Sequence, residues 1–176
     1  MDTSLWLTNG KQTRSGLIVA PEDYVLECEA TLTGVVKAKP SAETAAHIGK
    51  AFFTYAEALA LYEQGFFPEG WRLPTYEEAV ALIEEFVGDD DFTSHGFMQK
   101  LRCNFNGYVY PKMEKYNEDP TPVSEFIERK YMESRFWLYN PDQESLYALH
   151  VKRHGRPTLQ TFGPSCGNSV RLVHDP

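Results

Sequence analysis

The sequence predicts an α+β protein in which two helices sit between a β-rich N-terminal stretch and a C-terminal series of antiparallel strands. Three observations lead there. Two central segments open on Thr-Tyr with Glu three residues after the Thr, and both continue with apolar residues at helical spacing. The C-terminal half holds four short runs rich in aromatic and β-branched residues, separated by turn formers. Strands, then helices, then strands, without strict alternation, is the order of segregated layers.

Residues 4–8 and 16–19 read as short extended apolar segments, parted by the turn-prone Asn9-Gly10. Residues 23–36 alternate in part, with Tyr24, Leu26 and Cys28 on one parity, and Pro40-Ser41 marks a break. The first helix starts at Thr54-Tyr55-Ala56-Glu57, where the hydroxyl accepts from a free backbone N–H and the Glu reaches back. Its expected buried face is Tyr55, Ala58, Leu59 and Tyr62, and Gly65 stops it. The second helix repeats the device at Thr75-Tyr76-Glu77-Glu78. It carries a broad stripe of Ala79, Val80, Leu82, Ile83, Phe86 and Val87 and ends at Gly88. Acids early in each helix suit the macrodipole.

After Asp89-Asp90-Asp91 a weaker helix runs through Phe97, Met98 and Leu101. Beyond Cys103 the pattern turns to strand and loop. Residues 105–110 carry Asn106-Gly107, and residues 111–128, with Pro120 and Pro122, read as a polar insert. Strands are expected at 135–139, 146–151, 158–162 and 169–174. Asn140-Pro141-Asp142 and His154-Gly155 form the turns between the first three.

Composition narrows the function classes. The 176 residues are 42% apolar and 14% aromatic, which suits one domain with a substantial core. A net charge of −8 argues against nucleic acid as a partner, since phosphate contact needs a basic face. Three cysteines without close pairing, Cys28, Cys103 and Cys166, suit neither a disulfide framework nor a zinc site and read as small buried hydrophobes. No stretch is apolar enough to insert in a membrane, and residues 1–6 lack the pattern of a secretory leader, so a chain made in the cytosol is expected.

The segment Phe53-Thr54-Tyr55-Ala56-Glu57-Ala58, followed by Pro68-Glu69-Gly70-Trp71-Arg72-Leu73-Pro74-Thr75 and an acidic helix, resembles the Fibrobacter succinogenes major paralogous domain family. That family is a branch of the C-type-lectin-like fold, distantly similar to the sulfatase-modifying, formylglycine-generating proteins. Phe136-Trp137-Leu138-Tyr139 looks like its aromatic strand, and Ser169-Val170-Arg171-Leu172-Val173-His174-Asp175 like its closing strand. The resemblance covers roughly residues 48–175. It implies a lectin-like domain over 47–176 with two helices packed on antiparallel sheets and long C-terminal loops, and leaves 1–46 as an attachment or oligomerisation segment. Gly70, Trp71, Leu73, Pro74 and Thr75 then carry the fold signature. Gly70 makes a tight turn, Trp71 and Leu73 point the same way, and Pro74 gives way to the N-cap Thr75. The enzyme branch uses two nearby C-terminal cysteines, whereas here only Cys166 lies near the end.

No catalytic constellation emerges. Asp89-Asp90-Asp91 lacks calcium-loop spacing, and His47, His95, His150, His154 and His174 show no ligand pattern. The loop from Gly163 through Ser165 to Asn168 does not meet the nucleophile-elbow pattern. No metal or cofactor is expected. The C-terminal aromatics Tyr131, Phe136, Trp137, Tyr139 and Tyr147 are open to two readings, core or ligand face. Lys152-Arg153-His154-Gly155-Arg156 is either a solvated hairpin tip or an anion contact. The expected ligand set is Trp137, Tyr139, Tyr147, Arg153, His154, Arg156 and Asn168. A leaderless lectin-like module suggests a phage virion component that contacts other virion proteins or a cell-surface glycan or protein, possible also as a homo-oligomer. The alternatives are a bacterial surface adhesion module and a degenerate sulfatase-modifying relative.

Overall fold

A computed structural model describes residues 3–26, 51–87, 95–102, 106–109, 127–128, 132–142, 144–164 and 166–176. A 3₁₀ turn, Thr3–Leu5, runs into a single helical turn, α1, Trp6–Asn9. Extended chain was expected here. Instead the Gly10 N–H closes onto the Trp6 carbonyl at 2.7 Å, and the Trp6 ring is buried edge-on against Trp71 with centroids 5.2 Å apart. Its indole N–H donates to Glu22 at 3.0 Å. Burial of one large ring with its polar atom satisfied outweighs the weak local preference of four residues.

Strands β1, Lys11–Gln12, and β2, Ile18–Val19, form a hairpin whose turn places Gly16 at φ +92°. Helix α2, Tyr55–Glu63, has the expected capping box: Thr54 Oγ1 accepts from Glu57 N at 3.2 Å, and Glu57 Oε2 accepts from Thr54 N at 2.8 Å. The buried residues are Tyr55, Glu57, Ala58, Ala60 and Leu61, while Tyr62 is 38% exposed. The expected face is therefore corrected by about one position, which an Ala-rich helix with apolar residues on most sides allows. Gly65, at φ +72°, and Phe66 bond back to the Tyr62 and Leu61 carbonyls, closing the helix in a Schellman arrangement.

Strand β3, Trp71–Arg72, follows a turn at Gly70, where φ is +78° and a Cβ would lie 2.5 Å from the His174 ring. Glycine is required there twice, by backbone and by contact. Trp71 and Leu73 are both buried. Helix α3, Tyr76–Val87, opens on a second capping box, with Thr75 Oγ1 accepting from Glu78 N at 3.2 Å and Glu78 Oε2 from Thr75 N at 2.8 Å. Ala79, Leu82, Ile83, Phe86 and Val87 are its buried residues. Helix α4, His95–Lys100, packs on it through Phe97, Met98 and the following Leu101.

Strands β4, Tyr108–Val109, and β5, Ile127–Glu128, pair with each other. Strands β6, Glu133–Trp137, β7, Tyr147–Lys152, and β8, Thr158–Thr161, form an antiparallel sheet with turns where Asn140-Pro141-Asp142 and His154-Gly155 predict them. Strand β9, Val173–His174, completes a four-stranded antiparallel sheet of order β1-β2-β9-β3. The architecture is thus mixed α+β with antiparallel sheets.

Alternating burial at the end of β6 explains why Phe136-Trp137-Leu138 is a continuous apolar run. Trp137 belongs to a core with Trp6, Tyr55, Leu61, Trp71 and Leu172, while Phe136 and Leu138 belong to a second core with α3 and α4. Both faces are buried there, so these three residues read as a run rather than an alternation. The segment before β9 stitches these parts together: Asn168 bonds Phe53, Ser169 bonds Arg135 and Trp137, Val170 bonds Tyr24, and Leu172 bonds Ala20. Residues 3–26 share this sheet and core with the rest of the chain, and Arg171 makes a buried ion pair with Asp23. The boundary expected at residue 46 lies outside the described residues, as do Cys28, Cys103, Asp89-Asp90-Asp91, Gly88, Tyr131 and Ser165.

Candidate functional site

The seven expected ligand residues separate into three places. Trp137 and Asn168 are fully buried around Phe53: the Trp137 indole N–H donates to the Phe53 carbonyl at 2.7 Å, and Asn168 exchanges both backbone bonds with Phe53 at 2.9 and 3.0 Å. As side chains they line the interior, which corrects their placement on a ligand face. A Trp on a strand covered on both sides has no surface to present. Arg153, His154 and Arg156 are exposed at the β7–β8 turn. Tyr139 and Tyr147 stand at the opposite end of β7, about 20 Å away by strand rise. One site cannot hold both groups.

Around Tyr139 and Tyr147 the chain forms an open groove of about 370 Å³, lined by Thr75, Tyr76, Glu77, Tyr139, Asn140, Pro141, Asp142, Ser145 and Tyr147. It lies where the N-terminus of α3 meets the β6–β7 turn. The Tyr139 N–H donates to the Pro74 carbonyl at 2.8 Å, tying the end of β6 to the residue before the N-cap. Asn140 is buried and organises the turn. Its Nδ2 donates to the Leu138 and Tyr147 carbonyls at 2.7 and 3.3 Å, and its Oδ1 accepts from Tyr147 N at 3.0 Å. The Tyr55 hydroxyl donates to the Asn140 carbonyl at 3.0 Å and accepts from its N–H at 2.9 Å. Burial pushes the Tyr55 phenol above its ordinary value, so it remains a neutral donor and acceptor. Asp142 Oδ1 accepts from Glu144 N at 3.3 Å, shaping the turn's tip.

The walls are aromatic and meet at a corner. Tyr76 and Tyr147 pack edge to face with centroids 4.9 Å apart and planes at 72°, while Tyr139 packs edge to face on Tyr62 at 6.0 Å. Tyr76 is 40% exposed, and Tyr139 and Tyr147 are half-buried. The sequence reading found Tyr139 and Tyr147 but missed Tyr76, Glu77 and Ser145. Tyr76 sits on the apolar stripe three residues before Ala79, so periodicity assigns it to the core. At the first helical position it overhangs the sheet and packs on Tyr147 instead.

Several polar groups elsewhere are committed to the fold. Arg72 donates to Glu78 at 2.8 and 2.7 Å and also holds Asp175, and the guanidinium of Arg72 depresses the Glu78 carboxyl below its ordinary range. His150 is buried between Glu133 Oε2 at 3.0 Å and Gln160 Oε1 at 3.1 Å. Arg135 lies over the Tyr108 and Phe162 rings. Cys166 is a buried free thiol, and burial pushes its pKa up, away from reactive thiolate. Among the described residues no group of three or more His, Cys, Asp or Glu stands together as a metal site, and no helix is long and apolar enough to cross a membrane.

No family model, curated protein or solved structure matches the chain.

Proposed function

We propose that the chain is a non-catalytic recognition module of the C-type-lectin-like kind, carried on a phage virion as a tail, fibre or capsid-decoration component, and that it binds a cell-surface glycan. The observation that carries the recognition reading is the groove walled by Tyr76, Tyr139 and Tyr147 on a floor held rigid by Asn140 and Tyr55. Tyrosines held at fixed angles give contact area at little entropic cost, and the floor is organised before any ligand arrives. The volume is at the small end of ligand sites and suits one or two sugar rings or a comparable head group. The virion setting rests on the resemblance to the lectin-like fold.

Binding of the purified chain to a panel of bacterial glycans and to whole cells tests the proposal. Retention that survives EDTA and falls at least tenfold in a folded Tyr76→Ala variant is the expected result. Retention unaffected by Tyr76→Ala removes the groove from the reading. Detection of the protein on its producer's own envelope, and not in purified particles, replaces the virion with a bacterial adhesion module.

A further inference from the structure

We infer that the groove recognises a positively charged organic group, an ammonium carried by the surface glycan as a choline substituent or a free amino sugar. The inference rests on the recognition reading above and adds the charge of what is recognised.

Four observations converge. Among the described residues the lining contains three tyrosines, a proline and two carboxylates, Glu77 and Asp142, and no Lys, Arg or His. Both carboxylates are exposed at the rim, and neither makes an ion pair among the described residues. The neighbouring Glu78 is in contrast occupied by Arg72. The helix macrodipole accounts for an acid in the first turn of α3, but it does not account for an aromatic corner free of cations beside it. Next, the perpendicular Tyr76 and Tyr147 rings present π surface on two sides of one corner, and the electron-rich faces of such rings attract ammonium groups. Finally, the net charge of −8 gives a field that favours cations in the vicinity and disfavours anionic glycans. A neutral sugar would stack on the aromatic walls and donate hydroxyls to the two carboxylates but leave their negative charge unmatched. A cation uses the walls and matches the charge.

The experiment compares pairs of probes that differ in charge and little in shape. Calorimetric or NMR titration of the full chain with choline and with its neutral isostere 3,3-dimethylbutan-1-ol forms one pair, glucosamine and N-acetylglucosamine the other. The charged member is expected to bind about tenfold more tightly in at least one pair, with the preference shrinking as salt is raised. The pair that discriminates tells choline from amino sugar. A Glu77→Gln/Asp142→Asn double variant, which keeps an acceptor for Glu144 N, is expected to lose most of that preference while binding of the neutral probe is unchanged. Equal binding within both pairs overturns the inference. So does Tyr76-dependent binding of neutral glycans that choline and glucosamine fail to displace, a result that leaves the recognition reading standing. Absence of binding by every probe, together with absence of retention on glycans and cells, overturns both.

Discussion

Two helices begin with almost the same words and meet different fates. Thr54-Tyr55-Ala56-Glu57 and Thr75-Tyr76-Glu77-Glu78 both form a complete capping box, with the same 3.2 and 2.8 Å bonds, and both put a tyrosine at the first helical position. Tyr55 is 3% exposed and bonds both backbone groups of Asn140, whereas Tyr76 is 40% exposed and leans on Tyr147. The two rings thus serve the same β6–β7 turn from different sides. One holds it from within, and the other makes a wall of the groove above it. Local chemistry decides where each helix starts, and what lies beyond the helix end decides whether its first ring is scaffold or surface.

The sharpest way to break this comparison is to truncate both rings. Tyr55→Ala is expected to destabilise by about 3–5 kcal/mol, the range for emptying an aromatic site in a core, with the turn's polar groups left unpaired as well. Tyr76→Ala is expected to cost about 1 kcal/mol or less, the scale of one aromatic pair, while abolishing binding. Equal losses in urea unfolding would show that both rings are scaffold. The caps should behave alike: Thr54→Ala and Thr75→Ala are each expected to cost about 1 kcal/mol, and a gap of twofold or more between them would show that the boxes are not equivalent. The smallest effect is in acid. Arg72 holds the Glu78 carboxyl below its ordinary value of 4.5, so the folded state binds fewer protons there than the unfolded chain. The stability this contributes is present above that pH and is lost as pH falls through the depressed value. Glu78→Gln should flatten this part of the stability-versus-pH curve, and an unchanged slope would show that the contact with Arg72 does not favour the ionised form.

Much of the fold was legible because its signals are local. The capping boxes, the Gly65 and Gly70 turns, and the Asn140-Pro141-Asp142 and His154-Gly155 turns all depend on residues within a few positions of one another. What escaped depends on partners far along the chain. Residues 4–8 became helical because Trp6 found Trp71 and Glu22. Residues 169–174 were expected as one strand, but only Val173 and His174 are, since Ser169 bonds Arg135 and Trp137 while Val170 and Leu172 bond Tyr24 and Ala20. The site was half legible for the same reason. Tyr139 and Tyr147 flank a recognisable turn, but nothing nearby tells that Tyr76 and Glu77 will close the other side, or that Trp137 and Asn168 will be sealed beneath Phe53.

The position of β9 in its sheet also has a consequence in time. The strand order β1-β2-β9-β3 places Val173 and His174 between strands synthesised long before them. On the ribosome, β2 and β3 therefore wait with unpaired edges until the last described strand emerges to join them. Closure of so non-local a sheet is slow, and exposed edges are open to the wrong neighbour in the interval. Chains stopped at Leu172 should accumulate as insoluble material even though they carry every residue of the groove.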